Sequence, residues 1–92
     1  IGDAAAGGWD AQLADVDKFK LNAEGEYVSP VCKEGNLRMC VKLENCDWWQ
    51  TEFNVFDGKI LFRGKGNDQD AVKVAAGQTV KLNFKDNTGS IQ

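Results

Sequence analysis

Histidine is absent from this chain of 92 residues, and its absence removes a large part of enzyme chemistry. Histidine is the commonest general base and the commonest metal ligand in proteins. A Ser-His-Asp triad is therefore impossible. A glycine-rich phosphate-binding motif is missing as well, so the sequence shows no sign of a triad hydrolase or of a nucleotide-binding enzyme.

An excess of basic charge and a long apolar run are also missing. The net charge of −3 disfavours nucleic acid as a partner, because nucleic-acid-binding domains carry a basic patch. No apolar run approaches the roughly 20 residues that a helix needs to cross a bilayer.

A chain of this length fits one domain, residues 1–92. We expect it to be one module of a longer multidomain protein, because it begins with Ile1 and not with Met.

The three cysteines do not form a recognisable motif. Cys32, Cys40 and Cys46 are separated by seven and five residues, which does not match the C-x-x-C spacing of zinc or redox sites. The odd number leaves at least one thiol unpaired within the chain. The sequence allows either three reduced, packed cysteines or one disulfide with one free thiol.

Helical periodicity is nearly absent, and most of the chain alternates as β-strands do. Residues 10–19 have weak helical spacing, enough for one short turn. Apolar and polar residues alternate between turn residues elsewhere, and Asp57-Gly58 is the strongest hairpin signal. Strands are predicted at 18–22, 26–32, 37–43, 48–56, 59–63, 71–75, 79–85 and 90–92. This pattern of about seven to eight short strands predicts an all-β fold, an antiparallel β-sandwich.

Two adjacent tryptophans stand at the start of one predicted strand. Side chains alternate between the two faces of a strand, so Trp49 shares a face with Phe53 and Val55 and is predicted to lie in the core. Trp48 then falls on the opposite, polar face with Glu52. A large exposed ring on a polar face is typical of a binding surface.

A third tryptophan, Trp9, lies in the loop Gly7-Gly8-Trp9-Asp10. The glycines allow the backbone to bend and to carry the indole outward, or the ring folds back as a lid on the core. Two tryptophans outside the core pattern indicate a ligand with flat apolar faces and polar edges. Sugars have this character.

Three cations lie near the predicted position of Trp48. Arg38 and Lys42 are on the polar face of the preceding strand, and Arg63 follows the hairpin. Their side chains donate hydrogen bonds in a geometry that suits sugar hydroxyls. The alternative is a solvated basic face without a ligand.

Acidic residues offer weaker candidates. The loop at 67–70 has oxygen ligands that calcium could use, but it lacks the further ligands of an EF-hand, which favours a solvated loop. The pairs Glu24 with Glu26 and Asp15 with Asp17 could suggest glycoside hydrolysis. Neither pair has apolar neighbours that would raise one pKa, so catalysis is disfavoured.

The opening of the chain resembles a known family. Gly2-Asp3-Ala4, a short spacer and Gly8-Trp9-Asp10 resemble the start of modules in outer-membrane starch-binding lipoproteins of the SusE and SusF type. The segments 34–39, 47–49, 62–69 and 76–84 also look like parts of such modules. Arg38 stands where the family often has lysine, and the three cysteines are not a feature of the family pattern.

The resemblance implies an immunoglobulin-like β-sandwich that binds α-glucan and has no enzymatic activity and no cofactor. It implies an aromatic platform with nearby Lys or Arg. Together with the residue patterns it predicts that the carbohydrate-binding residues are Trp9, Trp48, Arg38, Lys42 and Arg63. It also implies a lipid-anchored parent protein on the outer surface of the outer membrane, beside a TonB-dependent importer and surface glycoside hydrolases. The alternative function is a spacer domain of such a lipoprotein, with the same fold and no sugar site.

Overall fold

The computed structural model describes residues 1–92 and contains nine short strands and two short 3-10 helices. The strands are β1 (Lys20–Leu21), β2 (Tyr27–Val28), β3 (Gly35–Leu37), β4 (Met39–Cys40), β5 (Glu52–Phe56), β6 (Lys59–Phe62), β7 (Val72–Val74), β8 (Val80–Asn83) and β9 (Thr88–Ile91). The 3-10 helices are Asp15–Asp17 and Trp48–Thr51. The predicted all-β class is confirmed, with one strand more than expected. None of the helices has the length and apolar character to cross a bilayer.

The strands form two antiparallel sheets. The larger has seven strands in the order β1-β2-β8-β9-β6-β5-β4, and the smaller pairs β3 with β7. The chain passes from the small sheet to the large one at Arg38, the residue between β3 and β4. Buried side chains from both sheets meet in one core, as in a β-sandwich. The predicted fold is therefore confirmed.

The core is a cluster of buried apolar side chains contributed by both sheets and by the opening segment. Its members are Ala4, Ala5, Cys32, Leu37, Met39, Phe53, Val55, Ile60, Val72, Val74, Val80 and Leu82. Phe19, which lies within the predicted strand 18–22 and just before β1, packs against this cluster. Strands β7 and β8 show the expected alternation, with Val72, Val74, Val80 and Leu82 directed inward.

Several apolar residues of the predicted strands 18–22 and 37–43 are exposed, although strand alternation would direct them inward, because the observed strands are shorter. β4 ends at Cys40, so Val41 and Leu43 leave the sheet and are exposed. Leu21 lies on β1, a two-residue strand at the edge of the sheet, and is also exposed. Pro30 falls within the predicted strand 26–32, where a proline would require a bulge or an edge strand. The observed β2 ends at Val28, so Pro30 lies after the strand and needs neither.

The prediction that Trp49 belongs to the core is wrong. Residues 48–51 form a 3-10 helix, so strand alternation does not begin until Glu52. Gln50 closes the turn, since its backbone N–H donates to the Asp47 carbonyl at 3.0 Å and its side chain accepts from the Asp47 N–H at 2.7 Å. Trp49 is 45% exposed, and Trp48 is half-buried.

The predicted polar face of β5 is not solvated. Glu52 and Asn54 point away from Phe53 and Val55, as expected, but both are buried. Gln69 of the loop at 64–70 covers Asn54, whose Nδ2 donates to Gln69 Oε1 at 3.1 Å. Arg38 and Arg63 cover Glu52. The Oδ1 atom of Asn54 has no hydrogen-bond partner.

All three cysteines are free thiols, which agrees with the first of the two alternatives. Cys32 is buried in the core, Cys40 is half-buried, and Cys46 is exposed. Burial raises the pKa of the Cys40 thiol above its ordinary value.

Candidate functional site

All three tryptophans and both arginines of the chain line one open concave surface. We call it the tryptophan–arginine surface, and its residues are Trp9, Arg38, Trp48, Trp49, Arg63 and Asp68. Large aromatic rings and charged groups on one concave surface are the combination that ligand sites use.

Trp9 reaches this surface from the loop after the opening segment. Its indole Nε1 donates a hydrogen bond to Asp3 Oδ1 at 2.8 Å, and the ring is 51% exposed. The preceding Gly8 has a φ of +63°, a left-handed conformation that favours glycine. Gly7 is held by Asp17, whose Oδ1 accepts from the Gly7 N–H at 2.9 Å. Trp9 is therefore a fixed surface residue and not a lid on the core.

Two arginines meet one buried carboxylate at three adjacent strands of the large sheet. Arg38 Nη1 donates to Glu52 Oε2 at 2.8 Å, and Arg63 Nη1 donates to Glu52 Oε1 at 2.9 Å. Arg38 precedes β4 and Arg63 follows β6, the two strands that flank β5. The Glu52 side chain is completely buried. Its two oxygens therefore hold both guanidinium groups from the buried side of the surface.

Asp68 approaches the same two arginines from the solvent side. Its Oδ1 accepts from Arg38 Nη1 at 2.9 Å and lies 3.3 Å from Arg63 Nη1. The Asp68 side chain is 68% exposed. This residue belongs to the acidic loop at 67–70, and no group of three or more metal-ligating side chains occurs in the structure. Two arginines and two carboxylates together give a cluster with no net charge.

Charged neighbours orient both arginines. Burial by itself would lower the pKa of Arg38, but the hydrogen bond and charge of Glu52, with those of Asp68, raise it. The Cζ of Arg63 lies 5.8 Å from the Trp49 ring centroid, a cation–π distance. Only Nη1 of each guanidinium has an acceptor in the protein. The Nε and Nη2 donors of both residues have no acceptor within the protein.

Comparison with known proteins identifies the family. The model described as SusF/SusE starch specific CBMs, that is, carbohydrate-binding modules, matches residues 1–90. The chain belongs to this family. The resemblance seen in the opening motif is thereby confirmed.

One member of the SusF/SusE family, SusF, shows in sequence and in structure how far the similarity extends. The chain is 48% identical over 98 aligned residues to outer membrane protein SusF of Bacteroides thetaiotaomicron, and it covers 20% of that protein. The crystal structure of SusF from the same organism matches with a TM-score of 0.91 and 46% identity, over all of this chain and 22% of that one. The chain thus spans about one fifth of the length of this relative.

The structure brings together four of the five residues that the sequence predicted for the site: Trp9, Trp48, Arg38 and Arg63. Lys42 is not among them, and its Nζ donates to the Leu13 carbonyl at 3.2 Å. The reason is that β4 ends at Cys40, so the face shared by Arg38 does not continue to Lys42.

Three residues of the site were not predicted. Trp49 joins the surface because of the 3-10 helix, and the spacing of Asp47 and Gln50 is a helix-start signal that could have indicated it. Glu52 and Asp68 depend on contacts between distant segments. No local pattern in the sequence shows which carboxylates meet the two arginines.

Proposed function

We propose that this domain binds the α-glucan chains of starch without cleaving them. The observation that carries the proposal is the convergence of all three tryptophans and both arginines on one open surface. Membership of a family of starch-specific carbohydrate-binding modules supports this choice of ligand. A non-catalytic role agrees with the family and with the absence of histidine.

Binding rests on two kinds of contact. Indole faces offer flat apolar area to the axial C–H bonds of a pyranose, which suits Trp9, Trp48 and Trp49. The free Nε and Nη2 donors of Arg38 and Arg63 would then hydrogen-bond sugar hydroxyls at the edge of the ring. Because Glu52 already holds both guanidiniums, little side-chain freedom is lost when the glucan binds.

The relative SusF indicates where in the cell the protein that contains this domain acts. SusF is named an outer membrane protein, and we infer that the protein containing this domain acts at the outer surface of the outer membrane. The parent protein would be lipid-anchored there. It would hold starch beside a TonB-dependent importer and surface glycoside hydrolases.

Isothermal titration calorimetry with maltoheptaose tests the binding surface. Trp48→Ala and Trp49→Ala should each weaken binding about tenfold or more, since one stacked ring is worth about 1–3 kcal/mol. Phe62→Ala is the matched control, because Phe62 is also an exposed aromatic residue but lies outside the tryptophan–arginine surface. Thermal melts of each variant separate lost binding from lost folding.

The outcomes distinguish the two functions that the sequence allowed. A spacer domain without a sugar site would show no binding of maltoheptaose by the wild type. Unchanged affinity in both tryptophan variants would contradict the assigned surface. Affinity gels containing starch, inulin, xylan or mannan test the ligand, and only the starch gel should retard the domain.

A further inference from the structure

Asp68 is the one side chain of the tryptophan–arginine surface that starch binding does not explain. It lies in an exposed loop, and its Oδ1 is within 3.3 Å of Nη1 of both arginines. A carboxylate oxygen therefore already occupies the point where Arg38 and Arg63 converge toward solvent. A neutral sugar offers only uncharged hydroxyl, ring and glycosidic oxygens to such a position. A glycan carboxylate or phosphate would compete for it directly.

The charge of the cluster depends on this residue. Glu52 is the buried carboxylate beneath the arginines and balances one of their two positive charges. Asp68 balances the other. Without Asp68 the surface would carry a net charge of about +1 at two guanidiniums, the groups that bind carboxylates and phosphates most readily. A starch site with two positively charged arginines and only one carboxylate would then attract anionic polysaccharides.

We propose that Asp68 is a specificity-determining residue that makes the site select neutral over anionic glycans. It does so in two ways. Its carboxylate takes the place at Arg38 and Arg63 that an anionic sugar group would use, and its charge repels such a group. This inference rests on the proposed binding of starch at the same surface.

The proposal predicts the behaviour of two matched ligands. Maltoheptaose is neutral, and a heptamer of α-1,4-linked glucuronic acid has the same linkage with a carboxylate on every ring. Because every ring is charged, the position of the chain in the site does not matter. The wild type should bind the neutral ligand and discriminate against the anionic one.

The experiment titrates both ligands into the wild type, Asp68→Asn and Asp68→Ala at low and at high salt. The ratio of anionic to neutral affinity should rise about tenfold or more in both variants at low salt, because a like charge a few Å from the ligand is removed. High salt should shrink the gain. Asp70→Asn is the control, since it makes the same charge change two residues away, in a side chain without an ion pair. It should keep the wild-type ratio.

Each outcome decides between the alternatives. An unchanged ratio in both Asp68 variants, or an equal rise in Asp70→Asn, would overturn the role of Asp68 and leave starch binding intact. A wild type that binds neither ligand would instead remove the proposed function. If the Asp68 variants nevertheless bound the anionic ligand, the role of Asp68 in excluding anionic glycans would stand even though the proposed starch binding would not.

Discussion

The buried carboxylate of Glu52 organises the candidate site from within the sheet. It accepts hydrogen bonds from Arg38, Arg63 and Asn54 at 2.8, 2.9 and 3.1 Å. Isolated buried charges are costly, but here each oxygen has a charged donor. Glu52 does not reach the surface itself. Its effect on a ligand acts through the position of the two arginines.

Replacing Glu52 by Gln should destabilise the fold and weaken glucan binding together. The change leaves both guanidiniums facing a neutral amide, and we expect a loss of about 3 kcal/mol in the free energy of unfolding, the lower end for a broken buried pair. Urea denaturation measures the loss. Glu44→Gln is the control, because Glu44 is exposed and makes no ion pair. Equal stability of the two variants would show that Glu52 is not the anchor.

At the scale of single residues, the sequence indicated both arginines that line the tryptophan–arginine surface, but not the carboxylate that they share. Arg38 and Arg63 are the only arginines in the chain, and both were predicted to bind the ligand. Glu52 was assigned to a solvated face, because alternation gives the direction of a side chain and not what covers it. The cover comes from Arg38 and Arg63, which lie outside the strand of Glu52 and donate to its carboxylate.

Among the elements, the hairpin of β5 and β6 sets the distance between Glu52 and Arg63. Asp57 and Gly58 have φ values of +52° and +78°, as a two-residue turn of the I′ type requires. The register pairs Phe53 with Phe62 and Phe56 with Lys59. This turn was predicted from two residues, because turn chemistry is local.

Gly58→Ala should therefore destabilise the domain by about 1–2 kcal/mol, the cost of a left-handed conformation for a residue with a Cβ. Asp57→Asn is the matched change at the neighbouring position and should be nearly neutral, since asparagine tolerates positive φ. Chemical denaturation compares the two. Equal losses would indicate that backbone conformation at the turn does not limit stability.

Elements whose limits depend on distant contacts were predicted less well. The alternating segment at 37–43 forms strand only as far as Cys40, and the segment at 48–56 begins as a helical turn. In both segments the alternation of apolar and polar residues extends beyond the residues that pair with a neighbouring strand. The length of a strand depends on how far the neighbouring strand pairs with it. The sequence of the strand itself does not show where that pairing ends.

For the whole molecule, the sandwich gives the site a rigid base. β4, β5 and β6 are adjacent in the large sheet and carry Arg38, Glu52 and Arg63 at or next to their ends. The tryptophans come from two loops outside the sheet, around Trp9 and Trp48–Thr51. This division matches the common pattern in which a scaffold positions loops that contact the ligand.

The arrangement of carboxylates argues against hydrolysis of the bound glucan. Glycosidases place two carboxyl groups on either side of the scissile bond. Glu52 and Asp68 are the two carboxylates paired with the arginines of the site, but the Glu52 side chain has no exposed surface and lies beneath them. It cannot contact a glycosidic oxygen. Asp68 alone does not form the required pair.

Prolonged incubation of the domain with maltoheptaose should therefore release no reducing ends. The measurement is a reducing-sugar assay over a day, with binding followed in parallel by calorimetry and with an added α-amylase, in buffer without EDTA, as the positive control. Repeating both assays with EDTA tests the acidic loop, and neither binding nor the product level should change. Reducing ends that accumulate with time would overturn the non-catalytic function. Binding lost with EDTA would move Asp68 from an arginine partner to a metal ligand.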